Sequence, residues 1–258
     1  MAAWLGRNRW FPGANRWSEG LVRDLETADP KNYHKFKWAH HHESYADTYE
    51  PEVLFASRKL NGTMVAYQAF VEDLARAMES RGPIESVLDV GCSVGHVLHA
   101  LETDVLEDAT NLVGIDIDRH AIEAGSAWLG GRSKIRLACG DLEDLDALVG
   151  AQSFDFAFAA GSLSYLSEED AAAAVGKILS RTRKLSAFVG LASADRSNAE
   201  LSQSVLRHRS MWAHNFGAMA RAHGWIVAST RWEPPRGSDA QGVYSVFAVK
   251  PAAPSAAS

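Results

Sequence analysis

Cysteine is scarce in this chain, and long apolar runs are absent from it. The only two cysteines, Cys92 and Cys139, both fall at the ends of predicted strands. A disulfide there would obstruct the adjoining loop, so the sequence predicts reduced thiols and a cytoplasmic protein. No apolar run reaches the roughly 20 residues that cross a bilayer. The N-terminus also lacks the continuous apolar core and cleavage site of a signal peptide.

Positive charge is limited as well. Lysine and arginine total 26 against 32 aspartates and glutamates, so the formal net charge is −6. A nucleic-acid or anionic-membrane partner requires a basic face, and the composition argues against both. The length of 258 residues and the hydrophobic share of 47% fit one large α/β domain with an appendage.

The most informative segment is residues 86–98, with the sequence SVLDVGCSVGHVL. A β-branched apolar run, a small-residue turn and an apolar helical stretch predict a buried parallel strand, a tight loop and a helix that cradle a cofactor. The dinucleotide pattern G-x-G-x-x-G requires glycine where this chain has Ser93. That pattern also includes no acid at the position of Asp89, two residues before the first glycine. The loop therefore argues against a nicotinamide-dependent dehydrogenase.

Three further apolar runs end in residues that suit a nucleoside. The run at 111–117 contains Asp116, about twenty residues past the loop, where one carboxylate can hold a ribose diol. The run at 135–139 is followed by Gly-Asp-Leu at 140–142, and the run at 154–159 by AGSLSYL at 160–166. Together with the strand end in residues 86–98, this makes four successive strand ends with residues that suit the cofactor, a pattern that is hard to produce by accident.

The segment DVGCSVG resembles the first motif of class I S-adenosylmethionine (SAM)-dependent methyltransferases, and residues 154–166 resemble their fourth, with Tyr165 where His is common. The resemblance covers about residues 84–250. It implies a doubly wound α/β fold, whose seven-stranded, mostly parallel sheet has an antiparallel last strand. It also implies SAM as cofactor and S-adenosylhomocysteine (SAH) as product. The implied cofactor-binding residues are Asp89, Gly91, Cys92, Ser93, Gly95, Asp116, Ile117, Asp141, Leu142, Ala160 and, ahead of the core, Tyr45.

Within this family, an Asp at the position of Asp141 hydrogen-bonds the adenine amino group, and the residue at the position of Leu142 packs on the ring. The chain departs from the family before its fifth predicted strand, at 185–192, where the frequent Pro-Gly-Gly turn is missing. The last two strands are predicted at 225–230 and 243–249.

The chain divides into a Trp/Arg-rich arm at 1–30, a helical cap at 31–82, the core at 83–250 and a disordered tail at 251–258. The arm shows no clean period. It either packs its tryptophans against the body or a neighbouring subunit of a homo-oligomer, or forms an aromatic lid over the substrate. Apolar residues at helical spacing predict a helix over 63–79 within the cap. Residues 198–223 are also predicted to be helical, with a break near Ser210.

Tyr165 and His214 are the candidate catalytic residues. Methyl transfer from a sulfonium is an in-line displacement in which the cofactor supplies the electrophile, so the protein positions the acceptor and, where needed, removes its proton. The alternatives are a packing tyrosine and a solvated surface histidine. No metal is expected, because the consecutive histidines at 40–42 point about 100° apart on a helix and cannot converge on one ion.

The sequence therefore predicts a SAM-dependent methyltransferase that acts on O or N, less readily C, of a small molecule, in a setting such as specialised metabolism. The cap and residues 197–223 should wall the pocket, because they are inserted above the carboxyl ends of the strands. Residues 1–60 are expected to add little to the sheet, so a chain that begins at Asn61 should stay folded. The alternative function is a catalytically idle SAM-binding subunit that regulates or scaffolds a partner.

Overall fold

The structure, a computed structural model, describes residues 25–26, 28–40, 50–60, 64–131, 134–207, 211–235 and 242–252. The N-terminal arm up to residue 24, Tyr45, two of the three consecutive histidines and residues 253–258 lie outside these ranges. The predictions made for them therefore remain predictions.

A seven-stranded sheet forms the centre of the fold, with the strand order β3-β2-β1-β4-β5-β9-β8. Neighbouring strands pair in parallel from β3 to β5, whereas β9 is antiparallel to both β5 and β8. A separate pair of short strands, β6 and β7, lies between β5 and β8 in sequence. The strands are β1 (Ser86–Val90), β2 (Asn111–Asp116), β3 (Ile135–Cys139), β4 (Phe154–Ala160), β5 (Thr182–Leu191), β6 (Val205–Leu206), β7 (Trp212–Ala213), β8 (Ile226–Glu233) and β9 (Val243–Val249).

The helices lie on both faces of this sheet. This explains why β1 and β9 are buried along their whole length and consist of nearly continuous apolar runs. None of the helices in the described ranges is both long and apolar enough to cross a membrane. The helices are α1 (Pro30–His40), α2 (Pro51–Ala56), α3 (Met64–Arg81), α4 (His96–Asp104), α5 (Arg119–Leu129), α6 (Leu145–Val149), α7 (Glu168–Ser180) and α8 (Phe216–Ala222).

The core has two main layers, one on each face of the sheet. On one face, α3 and α4 cover a cluster in which the rings of Phe70, Phe156 and Phe247 pack together. On the other face, α7 and α8 cover a cluster that includes Phe188 and Tyr244. The predicted fold class, with its antiparallel last strand, is confirmed.

The predicted helix over 198–223 is wrong for most of its length. This segment contains a short 3-10 turn (Asn198–Glu200), the β6–β7 hairpin and only then α8. The reason is the fully buried side chain of Asn198, whose amide donates to the carbonyls of Leu191 and His214 and accepts from the N–H of Ser193. These bonds to backbone groups hold the chain in an irregular loop that competes with helix formation.

The segment 50–60 contributes three buried side chains to the core, those of Leu54, Phe55 and Leu60, although it adds no strand to the main sheet. Leu60 and Phe55 are 1% and 2% exposed, and the Phe55 ring stacks on Trp128 with centroids 3.8 Å apart. The guanidinium of Arg58 binds the carboxylate of Asp104 with an Nε–Oδ2 distance of 2.6 Å. These contacts argue against the expectation that a chain beginning at Asn61 stays folded.

Replacement of Phe55 by alanine is expected to lower the free energy of unfolding by about 3 kcal/mol or more, because a buried aromatic ring is lost. Val53 lies on the same helix but is 58% exposed. The control variant Val53→Ala should therefore stay within about 0.5 kcal/mol of the parent chain. Urea unfolding followed by far-ultraviolet circular dichroism measures both values, and equal effects of the two substitutions would contradict this role of α2.

Candidate cofactor and active site

The loop between β1 and α4 has a backbone that only small residues accommodate. Gly91, Ser93 and Gly95 all have left-handed φ angles, of +83°, +52° and +81°. A Cβ on Gly91 would lie 2.3 Å from Cβ of Ser162, and one on Gly95 would lie 2.9 Å from a methyl group of Leu137. Gly91 is thus required by conformation and by space and Gly95 by conformation, and Ser93 is held in a region that L-residues rarely adopt.

Asp116, the last residue of β2, connects its strand to this loop. Its Oδ2 accepts a hydrogen bond from the Ser93 N–H at 2.7 Å, and its Oδ1 accepts from the Asp118 N–H at 2.8 Å. Burial raises the pKa of Asp116 to about 6, against the opposing effect of these backbone donors. Each carboxylate oxygen keeps a second lone pair, so the group can still accept hydrogen bonds from a ribose diol.

Two polar atoms near Asp116 have no hydrogen-bond partner, Oδ1 of Asp89 and the hydroxyl of Ser93, and both residues are buried. Burial, and secondarily the neighbouring Asp116 carboxylate, raise the pKa of Asp89 well above its ordinary value. An unpaired buried polar atom is costly to a folded protein. The strand ends of β1 and β2 therefore present acceptors that a polar ligand can satisfy.

Asp141 follows β3 and begins a short 3-10 turn (Leu142–Asp144). Its Oδ1 accepts from the Glu143 N–H at 3.0 Å, and its Oδ2 lies 2.9 Å from the ammonium group of Lys35 on α1. The same ammonium lies 2.8 Å from Oε1 of Glu143. The carboxylate predicted to meet adenine thus lies at the expected edge of the sheet, held from one side by the cap.

Tyr165 lies at the corresponding edge after β4, at the end of a second 3-10 turn (Ser162–Tyr165). The hydroxyl of Ser162 donates to the Val90 carbonyl at 2.7 Å and so ties this turn to the end of β1. The half-buried Tyr165 ring lies 4.9 Å from the His34 ring and 5.4 Å from the Trp38 ring, both on α1. A cleft-facing position for Tyr165 remains a prediction.

The remaining predicted cofactor residues occupy the same strand ends. Ala160 and Ile117 are half-buried at the ends of β4 and β2, and Leu142 is half-buried after β3. Cys92 is buried and Cys139 half-buried, and both thiols are free, with Sγ atoms near the carbonyls of Ser93 and Ile117.

His214 is not a surface residue, and that interpretation was wrong. It is 0% exposed, because the segment that carries it packs beside the turn after β4 and does not form a helix. Its Nδ1 lies 2.7 Å from the Ser204 hydroxyl and its Nε2 lies 3.2 Å from the Leu163 carbonyl. Burial lowers its pKa to about 4. The geometry gives His214 a role in holding the turn after β4 and offers no free ring nitrogen for a base.

The contribution of α1 to the site, through His34, Lys35 and Trp38, was not predicted from the sequence. The available signal was the spacing of His34 and Trp38, since residues four apart lie on one face of a helix. Nothing in the local sequence indicated which surface that face would meet.

Comparisons with known proteins agree with this geometry. Residues 87–184 match the family model of a methyltransferase domain. A search of curated proteins finds no match. Among solved structures, magnesium protoporphyrin IX methyltransferase from Synechocystis PCC 6803 with bound SAH is similar with a TM-score of 0.55 and 14% identity, over 90% of this chain and 100% of that one.

Two N-methyltransferases are similar at the same level. The enzyme NodS from Bradyrhizobium japonicum WM9, in complex with SAH, shows a TM-score of 0.53 and 16% identity over 78% of this chain and 96% of its own. The 1,6-didemethyltoxoflavin-N1-methyltransferase of Burkholderia thailandensis is similar with a TM-score of 0.53 and 15% identity, over 94% of this chain and 92% of its own. Residues 87–184 thus carry a methyltransferase domain, and the sheet order agrees with the methyltransferase fold of these solved structures.

Proposed function

We propose that the protein transfers the methyl group of SAM to an oxygen or nitrogen atom of a small molecule. The observation that carries the proposal is the pair of acids Asp89 and Asp116 at the ends of β1 and β2. Asp89 has an oxygen without a hydrogen-bond partner, and Asp116 accepts a hydrogen bond from the Ser93 N–H of the left-handed loop. A buried carboxyl group, Asp89, beside a half-buried one, Asp116, favours a ligand that brings positive charge and hydrogen-bond donors. SAM has a sulfonium, an ammonium group and a ribose diol.

The residues present fit this cofactor. Asp116 would hold the ribose, Asp141 would accept from the adenine amino group, and Asp89 would meet a donor of the amino-acid part. When bound, SAM supplies an electrophilic methyl group and becomes SAH. The task left to the protein is to position the acceptor and exclude water.

The small size of the acceptor is supported by the position of α1. This helix contacts both the turn after β3 and the turn after β4, so part of the chain lies over the strand ends. A net charge of −6 argues against a nucleic acid as the acceptor. Two of the similar structures are named as N-methyltransferases, and one of them contains bound 1,6-didemethyltoxoflavin.

The preference for O or N over C is supported by the state of His214. A carbon acceptor generally needs a base to become nucleophilic, whereas an amine or hydroxyl already carries a lone pair. A buried imidazole with a pKa near 4 and both nitrogens engaged is a poor base at neutral pH. Positioning, with Tyr165 at the acceptor side, is the mechanism that the described residues support best.

The variant Asp116→Asn is expected to weaken SAH binding by about 1–3 kcal/mol, because the amide loses charge and turns a donor towards a backbone N–H. Asp108, an exposed aspartate on a loop, provides the matched control, and Asp108→Asn should leave the affinity unchanged. Calorimetric titration with SAH measures both. Unchanged affinity of the Asp116 variant would show that the ribose assignment is wrong.

The same titrations should depend on pH in a defined direction. Since the pKa of Asp116 is raised to about 6, its carboxyl takes up a proton below that pH and loses acceptor capacity. Wild-type affinity for SAH should therefore fall as the pH drops through 6, by at most about tenfold per pH unit for one proton. Asp116→Asn should lack this step, and a step that persists in the variant would assign it to another group.

Turnover tests the activity itself. A thermal-shift screen of small amines and phenols in the presence of SAH should yield an acceptor that the protein methylates with SAM. With that acceptor at saturation, Tyr165→Phe is expected to reduce kcat by about tenfold or less, the range typical of lost positioning. A hundredfold loss would make Tyr165 a base. SAH binding without conversion of any acceptor would favour the idle-subunit alternative.

A further inference from the structure

Helix α1 contacts two turns that lie on opposite sides of the cofactor loop. Lys35 reaches the turn after β3, where its ammonium lies between Oδ2 of Asp141 and Oε1 of Glu143. His34 and Trp38 reach the turn after β4, where their rings pack against Tyr165. Because Lys35 is adjacent to His34 in sequence, neighbouring residues of α1 make the contact with the turn after β3 and the contact with the turn after β4.

The strand order places β2 and β1 between these two contacts. Neighbouring strands are about 4.8 Å apart, so the ends of β3 and β4 are separated by about 14 Å. The loop with Gly91, Ser93 and Gly95 and the carboxylate of Asp116 lie within that interval. Helix α1 therefore bridges the carboxyl ends of β1 and β2, above the acids assigned to the cofactor.

We propose that Lys35 is a positioning residue that fastens α1 over the bound cofactor through Asp141 and Glu143, and so slows the release of SAH. The inference rests on the proposed function, because it takes Asp141 as the acceptor for adenine. In this role Lys35 acts through Asp141 and Glu143, with which its ammonium forms ion pairs.

The hydrogen bonds of Asp141 are compatible with this role. Its Oδ1 accepts from the Glu143 N–H, and its Oδ2 pairs with the ammonium group of Lys35. A carboxylate oxygen has two lone pairs, so Oδ2 can accept from Lys35 and from an adenine amino group together. Lys35 then fixes the orientation of the carboxylate in addition to holding the helix.

The side chain of Lys35 is protonated and positively charged at neutral pH, because its pKa is raised. Burial acts to lower the pKa of its ammonium, but hydrogen bonds to Glu143 and Asp141 outweigh burial and raise it. The ammonium group is shared by two carboxylates while the lysine side chain is only 26% exposed. This shared, partly shielded geometry distinguishes Lys35 from a lysine in a single exposed pair.

The test measures the dissociation rate of radiolabelled SAH from the full chain after a chase with excess unlabelled SAH. Lys35→Met is expected to raise that rate by about three- to tenfold, the range expected from the loss of partly exposed ion pairs. Lys35→Arg, which keeps the charge, should restore most of the slow release. Lys59→Met, at an exposed lysine beyond α2, is the matched control and should release SAH at the wild-type rate.

The outcomes separate this inference from the proposed function. If wild-type chain does not bind SAH, the proposed function fails and the inference with it. If it binds SAH but Lys35→Met releases it at the wild-type rate, only the inference is overturned. Faster release in Lys59→Met as well would also overturn it, because the effect would then be general destabilisation. In the expected case the difference between wild type and Lys35→Met shrinks in 1 M NaCl, where charges are screened.

Discussion

The hydrogen bond from the Ser93 N–H to the Asp116 carboxylate is the interaction on which the site depends. It joins the end of β2 to a loop in which three alternate residues have left-handed backbones. A left-handed conformation costs a non-glycine residue about 1–2 kcal/mol, and a hydrogen bond to a charged acceptor offsets a cost of that size. The parallel sheet makes the bond possible, because it brings the carboxyl ends of β1 and β2 side by side.

The same arrangement places two acids, the buried Asp89 and the half-buried Asp116, on adjacent strands. Asp89 belongs to a strand that is buried along its whole length, and its Oδ1 has no hydrogen-bond partner. Burial, and secondarily the Asp116 carboxylate, raise the pKa of Asp89. A site that keeps a costly carboxyl group in place without a protein partner is prepared for a ligand with donors and positive charge, and this connects the fold to the cofactor.

The strand ends could be predicted from sequence because each depends on local pattern. Apolar runs that end at or just before Gly91, Asp116 and Asp141 indicate both the end of a strand and the chemistry of the residues there. The path of residues 198–223 could not be predicted, because its helical spacing is overruled by the bonds of the buried Asn198 amide to distant backbone groups. The contacts of Lys35 with Asp141 likewise join residues far apart in sequence, and only the strand order brings them together.

The most direct test of the account is a crystal structure of the chain with SAH. The account predicts the ribose hydroxyls on the Asp116 carboxylate, the adenine beside Asp141, a donor of the amino-acid part on Asp89, and α1 over the ligand with Lys35 still on Asp141. A nucleoside bound away from Asp116, with Asp89 still unpartnered, would contradict the assignment of the two acids and with it the central claim.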